Sequence, residues 1–285
     1  MSEKTLNSPA KINLFLRVAD KLPNGYHELE TLFLPIEGLT DKISVSFNHE
    51  PGIKIESSHA NIPLDGSNLC WKAADLYAQK AGIEPDWKIF IDKKIPVAAG
   101  MGGGSSDAAA VLRLLQAEYK ALTPEDLSAI AIKIGADVPF FLNPCPAIGS
   151  GVGEKLKLLD FEIKIPLIIV APMFPVSAAW AYQHNTFKFD ETDGLDSLLE
   201  ALKKQDWQAC GKLLRNDLAP ALFKKFPLLN ILKEELLELG VCGVEISGSG
   251  PTLFAVCRDF QNASSIAEKL GTRYLDSGIG IFCPE

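Results

Sequence analysis

Glycine and other small residues crowd one stretch of the chain: Pro96-Val97-Ala98-Ala99-Gly100-Met101-Gly102-Gly103-Gly104-Ser105-Ser106-Asp107. Glycine reaches positive φ without penalty and lets the backbone close on a ligand. The stretch runs into a segment with helical spacing. A helix start presents free N–H groups and the positive end of its dipole to an anion. Residues 96–106 are therefore read as a phosphate-binding loop. A flexible connection ahead of a helix is the plainer alternative, and it leaves the glycines and serines without a purpose. Ser106 can serve near a metal ion or cap the helix that follows. Better-known phosphate loops are excluded. No G-x-x-x-x-G-K-[ST] occurs in the chain, and G-x-G-x-x-G from Gly100 needs glycine where Ser105 stands. Neither H-R-D nor D-F-G is present.

Such a loop needs elements to hold it. Ala10, Ile12, Leu14 and Leu16 alternate with Lys11, Asn13, Phe15 and Arg17, the period of a half-buried strand with a polar face that carries Lys11 and Asn13. Asn24-Gly25 signals a turn, an apolar run covers 29–36, and 43–47 and 53–56 read as short strands. The spacing of Leu69, Ala73, Leu76 and Tyr77 predicts a helix over 68–81, and 87–92 alternates again. A strong helix follows over 107–119, and Thr123-Pro124-Glu125 opens another with an N-cap and a first-turn proline. Glycines at 149, 151 and 153 mark a composition shift, so the domain boundary is set near residue 155, giving 1–155 and 156–285. Beyond it, strands are expected at 166–171, 244–247, 252–257 and 279–282. Helices are expected at 195–204, 208–215, 228–239 and 263–270. Alternating rather than continuous apolar runs favour an α+β fold over a doubly wound sheet.

At 285 residues, with 47% hydrophobic and 22% charged, the chain can fill two ordinary cores. Lys plus Arg is 28 and Asp plus Glu is 36, a net charge of −8. Without a basic stripe, nucleic acid and anionic membranes are not expected partners. A small anionic substrate stays compatible, because backbone N–H groups can hold phosphate. The most apolar stretch, 165–182, is broken by Pro166, Pro172 and Pro175, and residues 1–7 lack the apolar core of a signal peptide. The expected compartment is the cytoplasm. Six scattered cysteines without a C-x-x-C predict buried thiols rather than a zinc site.

The glycine stretch resembles the second motif of the GHMP kinases, a family of small-molecule kinases. Pro9-Ala10-Lys11-Ile12-Asn13-Leu14-Phe15-Leu16 is similar to the family's N-terminal motif. Ile246-Ser247-Gly248-Ser249-Gly250-Pro251-Thr252-Leu253-Phe254-Ala255 is similar to its C-terminal glycine motif. The order is right across nearly the whole chain. Asn24-Gly25-Tyr26-His27-Glu28-Leu29 and Gly135-Ala136-Asp137-Val138-Pro139-Phe140-Phe141 narrow the resemblance to members that phosphorylate the 2-hydroxyl of CDP-methylerythritol in non-mevalonate isoprenoid synthesis. The resemblance implies a two-domain GHMP kinase fold. Its N-terminal ribosomal-protein-S5-like domain holds ATP, its C-terminal domain is ferredoxin-like, and the active site lies in the cleft between them. ATP is the implied phosphoryl donor and Mg²⁺ is expected with it. No lysine lies inside the loop, so backbone amides and Mg²⁺ must neutralise the triphosphate, with no protein metal ligand assigned.

The resemblance also implies roles. Asp137 matches the family's catalytic aspartate, although Asp two residues before Pro139 also looks like a helix start. Its carboxylate would orient the attacking hydroxyl and accept its proton. Lys11, by itself a solvated strand lysine, becomes the ammonium that keeps Asp137 ionised and stabilises the transferring phosphoryl. Asn13 on the same strand face could bond the polyol. Pro96, Val97, Ala98, Ala99, Gly100, Met101, Gly102, Gly103, Gly104, Ser105 and Ser106 bind ATP, joined by Asn68 and Lys94. Gly248, Ser249 and Gly250 bind the acceptor substrate. Tyr26 and His27 supply a stacking face and hydrogen bonds for cytosine, with Tyr182, or else Trp180, on the opposite side. A monomer or weak homodimer is expected.

Overall fold

A computed structural model of the chain describes residues 2–21, 27–185 and 194–284. The chain divides into two compact units. The first is Met1–Ala10, Leu39–Ile95 and Gly102–Pro144, and the second is Lys11–Gly38, Pro96–Met101 and Cys145–Glu285. In chain order the structure opens with β1 (Glu3–Lys21), β2 (His27–Ser46), β3 (Gly52–Ser57), α1 (Leu69–Ala81), β4 (Asp86–Asp92), α2 (Gly103–Tyr119), α3 (Pro124–Ile134) and α4 (Val138–Leu142). β1 and β2 each pass from one unit into the other along their own length.

In the first unit, the C-terminal part of β2 pairs antiparallel with β4, setting Ile43 opposite Ile91 and Val45 opposite Ile89. β3 lies parallel on the far side of β4. Helices α1 to α4 pack on one another. Their starts are written locally. The Asn68 side chain accepts the Cys70 N–H and caps α1, and Thr123 caps α3 ahead of Pro124, Glu125 and Asp126. Trp87 is fully buried on β4, and its indole N–H donates to Tyr119 Oη at 2.9 Å, so a large ring enters the core without an orphaned donor.

The chain continues through β5 (Ala147–Ser150), β6 (Lys155–Leu158), β7 (Leu167–Pro172), α5 (Ala178–Gln183), α6 (Gly194–Lys204), α7 (Trp207–Leu213) and β8 (Arg215–Asn216). It ends with α8 (Ala219–Lys225), α9 (Pro227–Glu238), β9 (Gly243–Ile246), β10 (Leu253–Val256), α10 (Phe260–Arg273) and β11 (Ile279–Phe282). In this second unit, β11, β7, β10 and β9 form an antiparallel sheet in that order. Read along the chain, this is strand–helices–strand–strand–helix–strand with spatial order 4-1-3-2, the ferredoxin-like arrangement. Leu253, Ala255, Ile168 and Val170 of the sheet join Leu229, Leu232, Ile266 and Leu270 of the helices in its core. The backbones of α7 and β9 nearly touch: a Cβ on Gly243 would lie 2.2 Å from the Gly211 carbonyl oxygen. In the same unit β1 pairs in parallel with β8, and β2 pairs with β5, which pairs with β6.

Several expectations need correction. The first strand is not half-buried, since Lys11 and Asn13 are 4% and 3% exposed alongside Ile12 and Leu14 at 0%. Alternation reports two faces of a strand, and here both are covered. The stretches 29–36 and 43–47 belong to the single strand β2. The helix expected from 107 begins at Gly103, inside the glycine run. The glycine-rich segment near 150 holds β5, and β6, β8, α5 and α8 were not anticipated, while α4 begins where Asp137 and Pro139 look like a helix start. The Asn24-Gly25 turn lies outside the described residues. The six cysteines are free thiols, and burial pushes Cys210 up to about 11 and Cys257 up to about 12. Among the described residues no helix is long and apolar enough to cross a membrane.

Candidate active site

The second unit brings together parts that are far apart in sequence. The Lys11 N–H of β1 donates to the Met101 carbonyl at 3.0 Å, fastening the strand to the first half of the glycine stretch. Gly100 has φ +77°, and a Cβ there would lie 2.3 Å from the Ser247 carbonyl oxygen, so only glycine fits. Ser247 Oγ donates to the Gly100 carbonyl at 3.0 Å. The 248–250 turn is held from behind by Asn216, whose Nδ2 donates to the carbonyls of Ile246 and Gly248, each at 2.7 Å. Both glycine turns thus belong to one hydrogen-bonded assembly.

Lys11 and Asn13 are enclosed by it. Lys11 Nζ donates to Asn13 Oδ1 at 2.7 Å, Asn13 Nδ2 donates to Thr31 Oγ1 at 2.7 Å, and Thr31 Oγ1 donates to the Phe15 carbonyl at 2.7 Å. A Cβ on Gly248 would sit 3.1 Å from Asn13 Oδ1 and 3.5 Å from Lys11 Nζ, so the turn packs directly on the pair. The Lys11 ammonium also lies 5.4 Å from the centre of the Phe33 ring. Toward the start of β2, the His27 ring lies nearly parallel to Tyr182, 6.0 Å between centroids and 15° between planes. Trp180 faces elsewhere: it stacks on His184 at 4.5 Å and carries Lys225 Nζ over its ring at 3.8 Å. Tyr182, not Trp180, is therefore the aromatic neighbour of His27. Tyr26 lies outside the described residues.

The remaining candidates fall in the first unit. Gly102, at φ +69°, precedes the first turn of α2, while Gly103 needs space rather than a special φ. A Cβ on Gly103 would lie 2.9 Å from Lys93 Nζ. The Lys93 side chain, 3% exposed, bridges the buried carboxylates of Asp41 and Asp107. Asp41 Oδ1 also accepts the N–H groups of Lys94 and Ile95 at 2.6 and 2.8 Å. Ser8 Oγ lies 3.0 Å from Asp107 Oδ1 and 2.7 Å from Ser106 Oγ. Burial pushes Asp107 up to about 7; Lys93 opposes the shift and Asp41 adds to it. Burial pulls Lys93 down, but the carboxylates of Asp107 and Asp41 outweigh it, leaving Lys93 above its ordinary value. One ammonium cannot fully satisfy two carboxylates, and Asp107 carries the deficit.

Asn68 spends its side chain on the fold, Oδ1 capping α1 and Nδ2 donating to the Pro63 carbonyl at 2.6 Å. The Lys94 side chain is exposed. Asp137 is half-buried at the cap position of α4 with φ −83° and ψ −15°, and its carboxylate does not cap the helix. Ala98 adopts φ +54°, an uncommon conformation outside glycine. Sequence reading missed Thr31 as the partner of Asn13, and the buried Asp41–Lys93–Asp107 cluster next to Gly103. A threonine within the apolar run 29–36, and a lysine adjoining the one chosen, were the available signals.

The family profiles described as GHMP kinases N terminal domain and GHMP kinases C terminal match residues 68–143 and 198–276. A 4-diphosphocytidyl-2-C-methyl-D-erythritol kinase of Geobacter sp. (strain M21) is 37% identical, with 95% of each chain covered. Another from Syntrophotalea carbinolica is 38% identical, with 93% of this chain and 94% of that one covered. The crystal structure of a 4-(cytidine 5'-diphospho)-2C-methyl-D-erythritol kinase superposes with a TM-score of 0.82 at 35% identity, covering 98% of this chain and 97% of the other. A homoserine kinase from Cytophaga hutchinsonii, at 19% identity and a TM-score of 0.77, shares the fold. With both profiles matched and relatives 37–38% identical along nearly the whole chain, the chain belongs to the GHMP kinase family.

Proposed function

We propose that this chain transfers a phosphoryl group from ATP to the 2-hydroxyl of 4-diphosphocytidyl-2-C-methyl-D-erythritol. The relatives that span its length are named as kinases of that substrate. The observation that supports it best is the buried Lys11–Asn13 pair under the 248–250 turn, where a cation and an amide are pre-set for a polar anionic substrate. In this reading Asp137 orients the 2-hydroxyl and takes its proton, and Lys11 stabilises the charge on the transferring phosphoryl. Asn13 and the backbone of Gly248, Ser249 and Gly250 hold the acceptor. Tyr26, His27 and Tyr182 form the cytosine pocket; an inserted ring needs roughly 7 Å, two contacts of about 3.5 Å, so His27 and Tyr182 separate slightly to admit it.

The loop from Pro96 to Ser106 cradles the nucleotide phosphates, with Asn68 and Lys94 assigned to the nucleotide by motif position. Mg²⁺ bound with ATP supplies charge neutralisation on the phosphates. The Asp107 carboxylate is occupied by Lys93 and Ser8, which fits an ion held through phosphates. The 68–143 and 198–276 segments fall on either side of residue 155, which supports 1–155 and 156–285 as the two family halves. The reading carries with it a cytoplasmic enzyme, monomeric or a weak homodimer. ADP release measured with the CDP-linked polyol, its UDP analogue, homoserine, mevalonate and galactose tests it. Stimulation confined to the CDP-linked polyol is expected. Nucleotide binding without stimulated turnover, or preference for another acceptor, would overturn the proposal.

A further inference from the structure

We infer that Thr31 is a positioning residue for the Lys11 ammonium, acting through Asn13 by fixing which end of its amide faces the lysine. The inference rests on the kinase reading above. A carbonyl oxygen can only accept, so the Phe15 carbonyl takes the single proton of the Thr31 hydroxyl. That hydroxyl is left with lone pairs alone to offer Asn13. It therefore binds the NH₂ end of the amide, and Oδ1 must point at Lys11. The three bonds form a one-way relay, each at 2.7 Å. Thr31 is 1% exposed and Asn13 3%, so water does not compete for these groups. Reversing the amide would set an NH₂ donor against an ammonium and displace Lys11 from its place under Gly248.

The surroundings are built for a threonine. Thr31 stands opposite Gly149 of β5, and a Cβ on that glycine would lie 3.0 Å from the Thr31 methyl and 2.6 Å from Phe33 Cε2. β-Branching limits χ1, so the hydroxyl is aimed as well as present. Valine at this position keeps the shape and loses the relay, whereas serine keeps the relay and loses the methyl.

The test compares Thr31→Val and Thr31→Ser with the wild-type enzyme in acceptor-dependent ADP release, with melting temperature measured alongside. Misplacing a catalytic group by a fraction of an ångström to an ångström costs about 10- to 100-fold. Thr31→Val is expected to lose kcat by roughly that factor while the ATP KM stays within about twofold, and Thr31→Ser to hold kcat within about threefold. A packing role makes the opposite demand: serine, which leaves a cavity, would then be the impaired variant, and kcat would follow the melting temperature. Either that pattern or near-normal kcat in Thr31→Val overturns the inference. Should valine prevent folding, Thr31→Cys, with a weakly bonding thiol, makes the same comparison. If neither folds, the hydroxyl is a folding requirement and the positioning role fails. Absence of acceptor-dependent turnover in the wild type would instead sink the kinase reading.

Discussion

An ammonium taken out of water is costly unless its protons find acceptors, and at Lys11 the Asn13 carbonyl supplies one of them. In the proposed reading this charge stands where the phosphoryl group passes, and it does before binding what water would otherwise do during reaction. Asp137 is the complementary case, a half-buried carboxylate at a helix start that it does not cap. Asp137→Asn is expected to lower kcat by about 10²- to 10⁴-fold while ATP affinity, read by calorimetry, changes little. Near-normal turnover would remove Asp137 from the chemistry. His27, parallel to Tyr182, makes a prediction about choice rather than rate. His27→Ala is expected to lower the ratio of kcat/KM for CDP- over UDP-linked polyol by about tenfold or more, because the exocyclic groups at C4 of cytosine and uracil have opposite bonding character. An unchanged ratio would place base recognition elsewhere.

Elements deliver these residues through anchored ends. The exit of β4 is tied down by Asp41, which accepts two successive N–H groups, and the start of α2 by Asp107; Lys93 joins the two carboxylates. Asp107 sits at about 7 against an ordinary 3.8. Between those values the folded protein holds a proton that the unfolded chain has released, so this group's contribution to stability falls as pH rises and levels off above about 7. Asp107→Asn removes the titration. The melting temperature of the variant minus that of the wild type is expected to climb from pH 4 to 7 and then to stay flat; a difference independent of pH would show that Asp107 does not titrate there. Elements signalled by neighbours in sequence were readable: Asn68 before α1 and Thr123-Pro124 before α3 state their own caps. Strand β1 misled because its polar face is covered by partners distant in the chain. The relay through Thr31 and the Lys93 bridge were hidden for the same reason, as they join residues 18 and 52 positions apart. The glycine motifs were legible because backbone chemistry confines residue type there, as the crowding at Gly100 shows.

At the scale of the whole molecule, the route of the chain matters more than any contact. The second unit takes Lys11–Gly38 and Pro96–Met101 from the N-terminal half and everything from Cys145 onward from the C-terminal half. A fragment of residues 156–285, which lacks Lys11–Gly38 and Pro96–Met101, is therefore expected to give no cooperative thermal transition by circular dichroism, and co-expression with 1–155 to restore one. A sharp melt of the isolated fragment would refute this. The parallel pairing of β1 with β8 has a consequence during biosynthesis. Phe15 meets Arg215, a partner made about 200 residues later. At ribosomal speeds of about 5–20 residues per second the wait is roughly 10–40 s. For that interval the strand bearing Lys11 leaves the ribosome with a bare backbone edge, open to pairing with other nascent chains. Until Arg215 and Asn216 have been made, the newborn polypeptide carries that edge unpaired by its native partner.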